Sequence, residues 1–352
     1  MLGLPQVNIT KNTGHKMEDE LMAKNTTISV LSLELPRLSA PIGNYTAYEK
    51  ETRQYLKEKI DMVLPSKPDL IVFPENCIRF NSQYTGHASD AEYWKDMQDY
   101  YRYLGTKVEE YLGTIAKDNN TNIAYCQGRF VSDEEKYPFR NTTTYIGRDG
   151  SVVGRYDKNH LTIGENDHDG IAYGTEAKLI NLDIGSVASA ICFDLNFNEL
   201  LENYKEQHPD LVVFCSAYHG GIKQQIWAYE CQSYLVAATR NGVYDPGHGR
   251  ILNPFGETVA TATNYTHHVT ATVNLDYRLC HIDYNMSKFI AAKEKYKTDL
   301  TVYDPGYVGC CMLTYNGEDD KTVEDIIDEF EIERMDDYFA RARKHRAEHI
   351  IY

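Results

Sequence analysis

Two short apolar runs constrain the fold of this chain more than any other feature. Residues 69–73 read DLIVF and residues 210–215 read DLVVFC, each a continuous apolar stretch behind an aspartate. Runs of this length without polar alternation suit central strands covered on both faces, as in a parallel sheet layered with helices. Their similarity points to a repeated βα half rather than an array, because no solenoid-like period runs along the sequence.

Between and around these runs the pattern predicts further strands at 27–35, 121–131, 178–182, 185–191 and 233–240. A polar helix over 45–63 is stopped by Pro65 and Pro68, a single helix covers 94–117, and another covers 220–232. Segments 141–148 and 151–156 form a hairpin through Asp149-Gly150, and short strands fill 249–275. The order begins βαβαβ and then gains antiparallel neighbours, as in a layered sandwich. The tail, 276–352, is rich in Tyr and charge. Its segment 323–350 reads as one helix with acids early and bases late, suiting the helix dipole. Such a tail wraps a subunit interface or is a plain solvated helix.

Composition narrows the function. The 352 residues, 42% apolar and 25% charged, can bury a sizeable core as one large α/β domain or two smaller ones. A net charge of −16 without a basic block argues against nucleic acid and anionic membrane surfaces as partners. No apolar run reaches membrane-spanning length. The eight cysteines form no CxxC pair, and adjacent Cys310 and Cys311 suit neither a usual disulfide nor a zinc site. With no secretory h-region in the opening residues, a reducing cytoplasm is the simplest setting.

Three residue types with matching chemistry fall at strand exits. The run 187–191 stops at Cys192, and a helix is expected from Asn196, which would cap it with Glu199 in a capping box. A cysteine at such a turn gains from helix N–H groups that favour a thiolate, although a free cysteine as readily fills a core. Glu75 lies just past DLIVF, where α/β sheets carry their sites, or is simply solvated. Lys158 opens a long polar segment, 157–174, that contains Glu165. A thiol at its ordinary pKa needs a base. A shielded carboxylate can have its pKa raised and take that proton. An ammonium group and the N–H of Phe193 could hold an oxyanion.

The segments FPEN (73–76), YDKNHL (156–161) and ICFDLNF (191–197), in this order, resemble the three signatures of the nitrilase, or carbon–nitrogen hydrolase, superfamily. The resemblance runs from Thr27 to Asp276. It divides the chain into an N-terminal extension (1–26), a hydrolase domain (27–276) and a C-terminal extension (277–352) at a subunit interface. It implies a four-layer α-β-β-α sandwich, no metal or organic cofactor, a small-molecule substrate, and a homodimer or higher homo-oligomer. Carried over, Glu75 is the general base, Lys158 the oxyanion stabiliser and Cys192 the nucleophile, while Glu165 orients Lys158 or the substrate. The implied activity is hydrolysis of a non-peptide C–N bond, in a small amide or N-carbamoyl compound, through a Cys192 thioester. Phe193-Asp194 after the nucleophile resembles the amidase and carbamoylase branches; true nitrilases tend to carry Trp-Glu there. A nitrilase, an amide-dependent acyltransferase and a catalytically silent metabolite binder of the same fold stay open.

A papain-like thiol enzyme would need a histidine, and His160, His219 and His248 each have a simpler reading. His219, past a strand end, is a candidate pocket residue rather than a base. No His/Cys/Asp cluster has metal-ligand spacing. The acidic tract 165–169 hints at a cationic substrate such as a polyamine derivative, though acidic loops are often only solvated.

Overall fold

The structure, a computed structural model, describes residues 25–80, 86–242, 245–246, 248–263 and 265–351. Most of the expected N-terminal extension lies outside the described residues. In chain order the strands are β1 (Asn25–Leu31), β2 (Leu70–Val72), β3 (Asn122–Phe130), β4 (Phe139–Ile146), β5 (Val152–Asp157), β6 (Ile180–Leu182), β7 (Gly185–Ile191), β8 (Leu211–Ser216) and β9 (Tyr234–Thr239). They continue with β10 (Asn241–Gly242), β11 (Asp245–Pro246), β12 (Arg250–Leu252), β13 (Thr258–Thr261), β14 (His268–Asn274), β15 (Tyr277–His281), β16 (Leu300–Tyr303) and β17 (Cys310–Tyr315). The helices are α1 (Tyr45–Asp61), α2 (Asp90–Leu104), α3 (Lys107–Asn119), α4 (Ile163–Asp167), α5 (Asn198–Gln207), α6 (Ile222–Glu230), α7 (Met286–Tyr296), α8 (Val323–Glu329) and α9 (Met335–His349).

Two six-stranded sheets carry the fold, in the orders β14-β1-β2-β3-β4-β5 and β13-β12-β9-β8-β7-β6. Each has three parallel strands at its centre, β1-β2-β3 and β7-β8-β9, with antiparallel neighbours outside them. The DLIVF and DLVVFC runs are the middle strands of these two triplets, β2 and β8, so the repeated half read from the sequence is real.

Alternation along these strands builds the layers. Leu70 and Val72 of β2 and Leu211, Val213 and Cys215 of β8 share one core between the two sheets. Ile71 and Phe73 face the other way, onto Tyr48, Leu56, Tyr100 and Leu112 of α1, α2 and α3. Val212 and Phe214 face Leu200, Tyr204 and Trp227 of α5 and α6. Each fully buried side chain of this kind contributes roughly 1.5–3 kcal/mol. The result is the four-layer α-β-β-α sandwich. Helix α1 shows why the local sequence complies: Asn44 caps it by accepting from Ala47 N at 3.2 Å, and Tyr48, Thr52, Leu56 and Ile60 form its buried stripe. Close approach is needed where α2 meets β3, since a Cβ on Gly128 would lie 2.4 Å from the Tyr101 ring.

Three expected elements differ. The single helix over 94–117 is two, α2 and α3, parted at Gly105, which takes φ +49°. The helix over 323–350 is also two, because Glu331 adopts φ +52° and Ile332 turns inward to a buried position. The tail is not one solvated helix. Strands β15, β17 and β16 form a separate antiparallel sheet, whose own core joins Leu313, Phe289, Tyr296, Ile326 and Ile332. Among the described residues no helix is long and apolar enough to cross a membrane.

Candidate active site

The C-terminal ends of β2, β5, β7, β8 and β9 open onto one cleft of about 810 Å³ that is lined by Glu75, Lys158, Glu165 and Cys192. Glu75 lies in the turn after β2 and is 2% exposed. Its Oε1 accepts from Lys158 Nζ at 3.1 Å and from Asn141 Nδ2 at 2.8 Å, and its Oε2 from the backbone N of Ala217 at 2.9 Å. Lys158, 1% exposed, is the first residue after β5 and also donates to both oxygens of Glu165 at 2.9 Å. Asn141 of β4 reaches Glu165 Oε1 as well, at 2.9 Å. Glu165 is itself held, because its Oε2 accepts from Thr162 N at 2.8 Å at the start of α4. Two carboxylates thus share one ammonium and one amide, in one geometry.

Cys192 follows β7 directly and takes φ +49°, an uncommon conformation for a side chain with a Cβ. It begins a 3-10 turn, Cys192–Asn196, rather than an α-helix. Asn196 caps nothing. Its Nδ2 donates to Phe193 O and Tyr218 Oη, and α5 starts only at Asn198. The turn is fixed by Asp194, which is fully buried. That carboxylate accepts from Ile191 N at 2.9 Å, Tyr156 Oη at 2.8 Å and His160 N at 2.7 Å. Asp194 therefore ties the Cys192 turn to the segment that carries Lys158.

Electrostatics correct two expectations. The Cys192 thiol is not favoured as a thiolate. Burial and the Glu75 charge push its pKa up to about 12, against the opposing pull of Lys158, Ser216 and the Ala217 backbone. Glu75, although burial opposes its charge, is held below the usual carboxylate range by Lys158 and Arg240. Lys158 is likewise held above the usual lysine range: burial disfavours its charge, but Glu75, Cys192 and Glu165 outweigh it. The resting site is a thiol beside an ionised carboxylate and an ammonium. Proton transfer from thiol to carboxylate is uphill in this resting arrangement.

Phe193 packs its ring against Phe197 at 5.1 Å. Its N–H belongs to the first turn of the 3-10 helix, where N–H groups lack intrahelical acceptors. His219 does not line the cleft; its Nδ1 accepts from Gly221 N at 3.2 Å. His160 is engaged by Asp194 and stacks on Phe197 at 3.9 Å. Among the described residues no group of His, Cys, Asp and Glu converges as a metal cage.

Sequence reasoning passed over Asn141, the Ala217 N–H, Arg79, Trp94 and Arg240, of which all but Asn141 line the cleft. Arg240 carried a usable signal, since it too stands at a strand exit. Asn141 carried none, being a mid-strand residue in a hairpin.

Comparison with known proteins agrees with this fold. The carbon–nitrogen hydrolase family model matches residues 38–279, and the chain belongs to that family, within the nitrilase superfamily. The chain is similar to the deaminated glutathione amidase of Dictyostelium discoideum, 24% identical over 73% of this chain and 93% of that protein. It is also similar to the omega-amidase NIT2 of Xenopus tropicalis, 23% identical over 52% of this chain and 72% of that one. Among solved structures, the Caenorhabditis elegans NitFhit protein shares the fold with a TM-score of 0.59 at 16% identity, over 88% of this chain and 98% of its own. An amidase from Nesterenkonia, its active-site cysteine carrying the acetamide moiety of fluoroacetamide, superposes with a TM-score of 0.51 at 16% identity, over 71% and 89%.

Proposed function

We propose that the protein hydrolyses the C–N bond of a small amide through a thioester on Cys192. The observation that carries this reading is the shared contact of Glu75 with Lys158 at the base of the cleft that also holds Cys192. In this mechanism the Cys192 sulfur attacks the amide carbon as Glu75 accepts the thiol proton. Lys158 Nζ and the Phe193 N–H stabilise the oxyanion. Glu75 returns the proton to the departing nitrogen, ammonia leaves, and the acyl group remains on Cys192. Water, deprotonated by Glu75, then attacks the thioester, and the acid and free thiol are released. Glu165 and Asn141 keep Lys158 and Glu75 in register through both halves. The names of the curated relatives, both amidases, favour an amide over an N-carbamoyl compound.

The test is ammonia release from primary amides, N-carbamoyl amines and nitriles, with Cys192→Ala alongside. Cys192-dependent release from amides, with a matching acyl mass on Cys192 after rapid quenching, supports the reading. Release that persists in Cys192→Ala sinks it. As part of the same proposal, two copies pair through the face near the site; a monomer by sedimentation would remove that element alone.

A further inference from the structure

The two oxygens of the proposed general base have unlike surroundings. Glu75 Oε1 accepts from Lys158 Nζ at 3.1 Å and from Asn141 Nδ2 at 2.8 Å. Oε2 has one donor among the described residues, the backbone N of Ala217 at 2.9 Å. A carboxylate oxygen offers about two lone-pair sites, so Oε1 is filled and Oε2 keeps one open. The open oxygen lies at the end of β8, where Ser216 and the Ala217 backbone also bear on the Cys192 sulfur.

Asn141 does this filling, and its side chain is fully committed to it. Buried in β4, it spends both Nδ2 hydrogens on carboxylates, Glu75 Oε1 and Glu165 Oε1. Its backbone O accepts from Lys158 N at 2.8 Å, so one residue holds the main chain of the lysine and the side chains of both its partners. The amide is fixed from behind by Cys126, buried in β3, whose Sγ donates to Asn141 Oδ1 at 3.5 Å. Turned over, Oδ1 would face two carboxylates and Nδ2 would face a thiol, a weak acceptor. These partners dictate the amide orientation.

Charge alone does not arrange the carboxylates in this way. The charged and titratable groups around Glu75 are Lys158 after β5, Glu165 of α4, Arg240 after β9, Cys192 after β7, Cys126 of β3 and Tyr218 beyond β8. Lys158 divides its donors between Glu75 and Glu165. Two carboxylates at one site favour protonation of one of them. An N–H donated to each opposes that and keeps Glu75 ionised at rest.

We infer that Asn141, its amide held by Cys126, is a positioning residue for the proposed hydrolysis: with Lys158 it fills Glu75 Oε1 and leaves Oε2 to take and return the proton. This rests on the hydrolase reading above. As the Cys192 S–H bond breaks, its proton goes to Oε2. The sulfur electron pair forms the bond to the amide carbon while the C=O π pair moves onto oxygen. When that pair returns, the C–N pair goes to the nitrogen, which leaves with the Oε2 proton. Asn141 does not line the cleft, so it acts through Glu75 and Lys158.

The experiment measures kcat and kcat/KM against pH for the primary amide turned over fastest. Wild type, Asn141→Ala, Asn141→Asp, Cys126→Ala and Cys126→Ser are run in parallel. The acid limb of kcat/KM reports the ionisation of Glu75 in the free enzyme. Asn141→Ala should move that limb up by about one pH unit and lower the plateau kcat by about 10- to 100-fold, the effect of a misplaced base. Asn141→Asp, equal in shape, should move the limb further, since a third carboxylate then shares the lysine. Cys126→Ala should shift it in the same direction by less, and Cys126→Ser, which keeps a donor, should return it toward the wild type. An equal fall in kcat/KM at every pH in Asn141→Ala, with the limb in place, overturns the inference, because Asn141 would then be structural support only. A rise in plateau kcat overturns it as well. If Asn141→Ala does not fold, equal limbs in Cys126→Ala and Cys126→Ser do the same.

Alkylation of Cys192 by iodoacetamide, followed by the mass of the Cys192 peptide, needs no turnover and separates this inference from the hydrolase reading. Its acid limb should also move up in Asn141→Ala, by about one pH unit. A limb that ignores Asn141 rejects the positioning role whatever the wild type hydrolyses. A shifted limb in a protein that releases no ammonia from any amide keeps the positioning role and rejects the hydrolase alone.

Discussion

The two six-stranded sheets share a strand pattern yet contribute opposite kinds of chemistry. From the first come the paired charges Glu75 after β2 and Lys158 after β5, with the neutral amide of Asn141 within β4 bonded to Glu75. From the second come Cys192 after β7, the proposed nucleophile, with the Ala217 N–H after β8 and Arg240 after β9. The ends of the equivalent middle strands meet in a single hydrogen bond, Ala217 N to Glu75 Oε2. In the proposed mechanism the first half sets protonation and electrostatics, and the second makes the bond. Neither half carries a working site alone, and changes in the two halves should fail in different ways.

The largest effect belongs to the bond-making half. Cys192→Ala should lower kcat by roughly a millionfold and leave the melting temperature near that of the wild type, because it removes one sulfur atom at a partly buried position. Glu75→Gln, in the charged half, keeps the shape and the Asn141 contact. It should cost about 100- to 10,000-fold in kcat, the range for losing a general base, as read by steady-state ammonia release.

Lys158→Met tests whether the charged half also supports the fold. Turnover should fall about 100- to 1,000-fold with the loss of oxyanion charge. Unlike Cys192→Ala, it should also cost roughly 3–5 kcal/mol in denaturant unfolding, since the buried Glu75 and the half-buried Glu165 then lose their cation. A Lys158→Met protein as stable as the wild type would break the distinction between the halves.

The pH dependence sharpens the same point. Glu75 is depressed in the fold, so its contribution is present above its ordinary value of 4.5 and is lost as pH falls through the lower folded value. Lys158 is raised, so its contribution is present below 10.5 and is lost as pH rises through the higher folded value. Melting temperature against pH should therefore plateau between these limits. Glu75→Gln should remove this group's part of the acid limb, whereas Cys192→Ala should leave that limb in place.

The smallest effect concerns the tie between the halves. Asp194→Asn removes the charge that accepts from Ile191 N, Tyr156 Oη and His160 N. It should cost about 1–3 kcal/mol of stability, with a fall in kcat and little change in KM, because the residue positions Cys192 without touching substrate.

Local sequence carried the layers and the order of the site. The runs DLIVF and DLVVFC had to be doubly covered strands, and a residue just past a strand end has only the sheet edge to occupy. For that reason Glu75, Lys158 and Cys192 could be placed at one edge from spacing alone. Breaks in helices were less legible. Gly105 was available as a signal, whereas Glu331 is an ordinary helix former whose φ is set by the burial of Ile332 in the C-terminal core.

What the sequence by itself determined is the kind of groups present and the edge they share, because strand period and chain order are local properties. Only the tertiary structure decided their protonation and their partners. Whether burial or a neighbouring charge dominates at Glu75 depends on distances to Lys158 and Arg240, which lie 83 and 165 residues further along the chain. The same holds for Glu165 of the acidic tract, whose charge is spent on Lys158 once the loop folds back, and for Arg240, whose guanidinium has no hydrogen bond among the described residues.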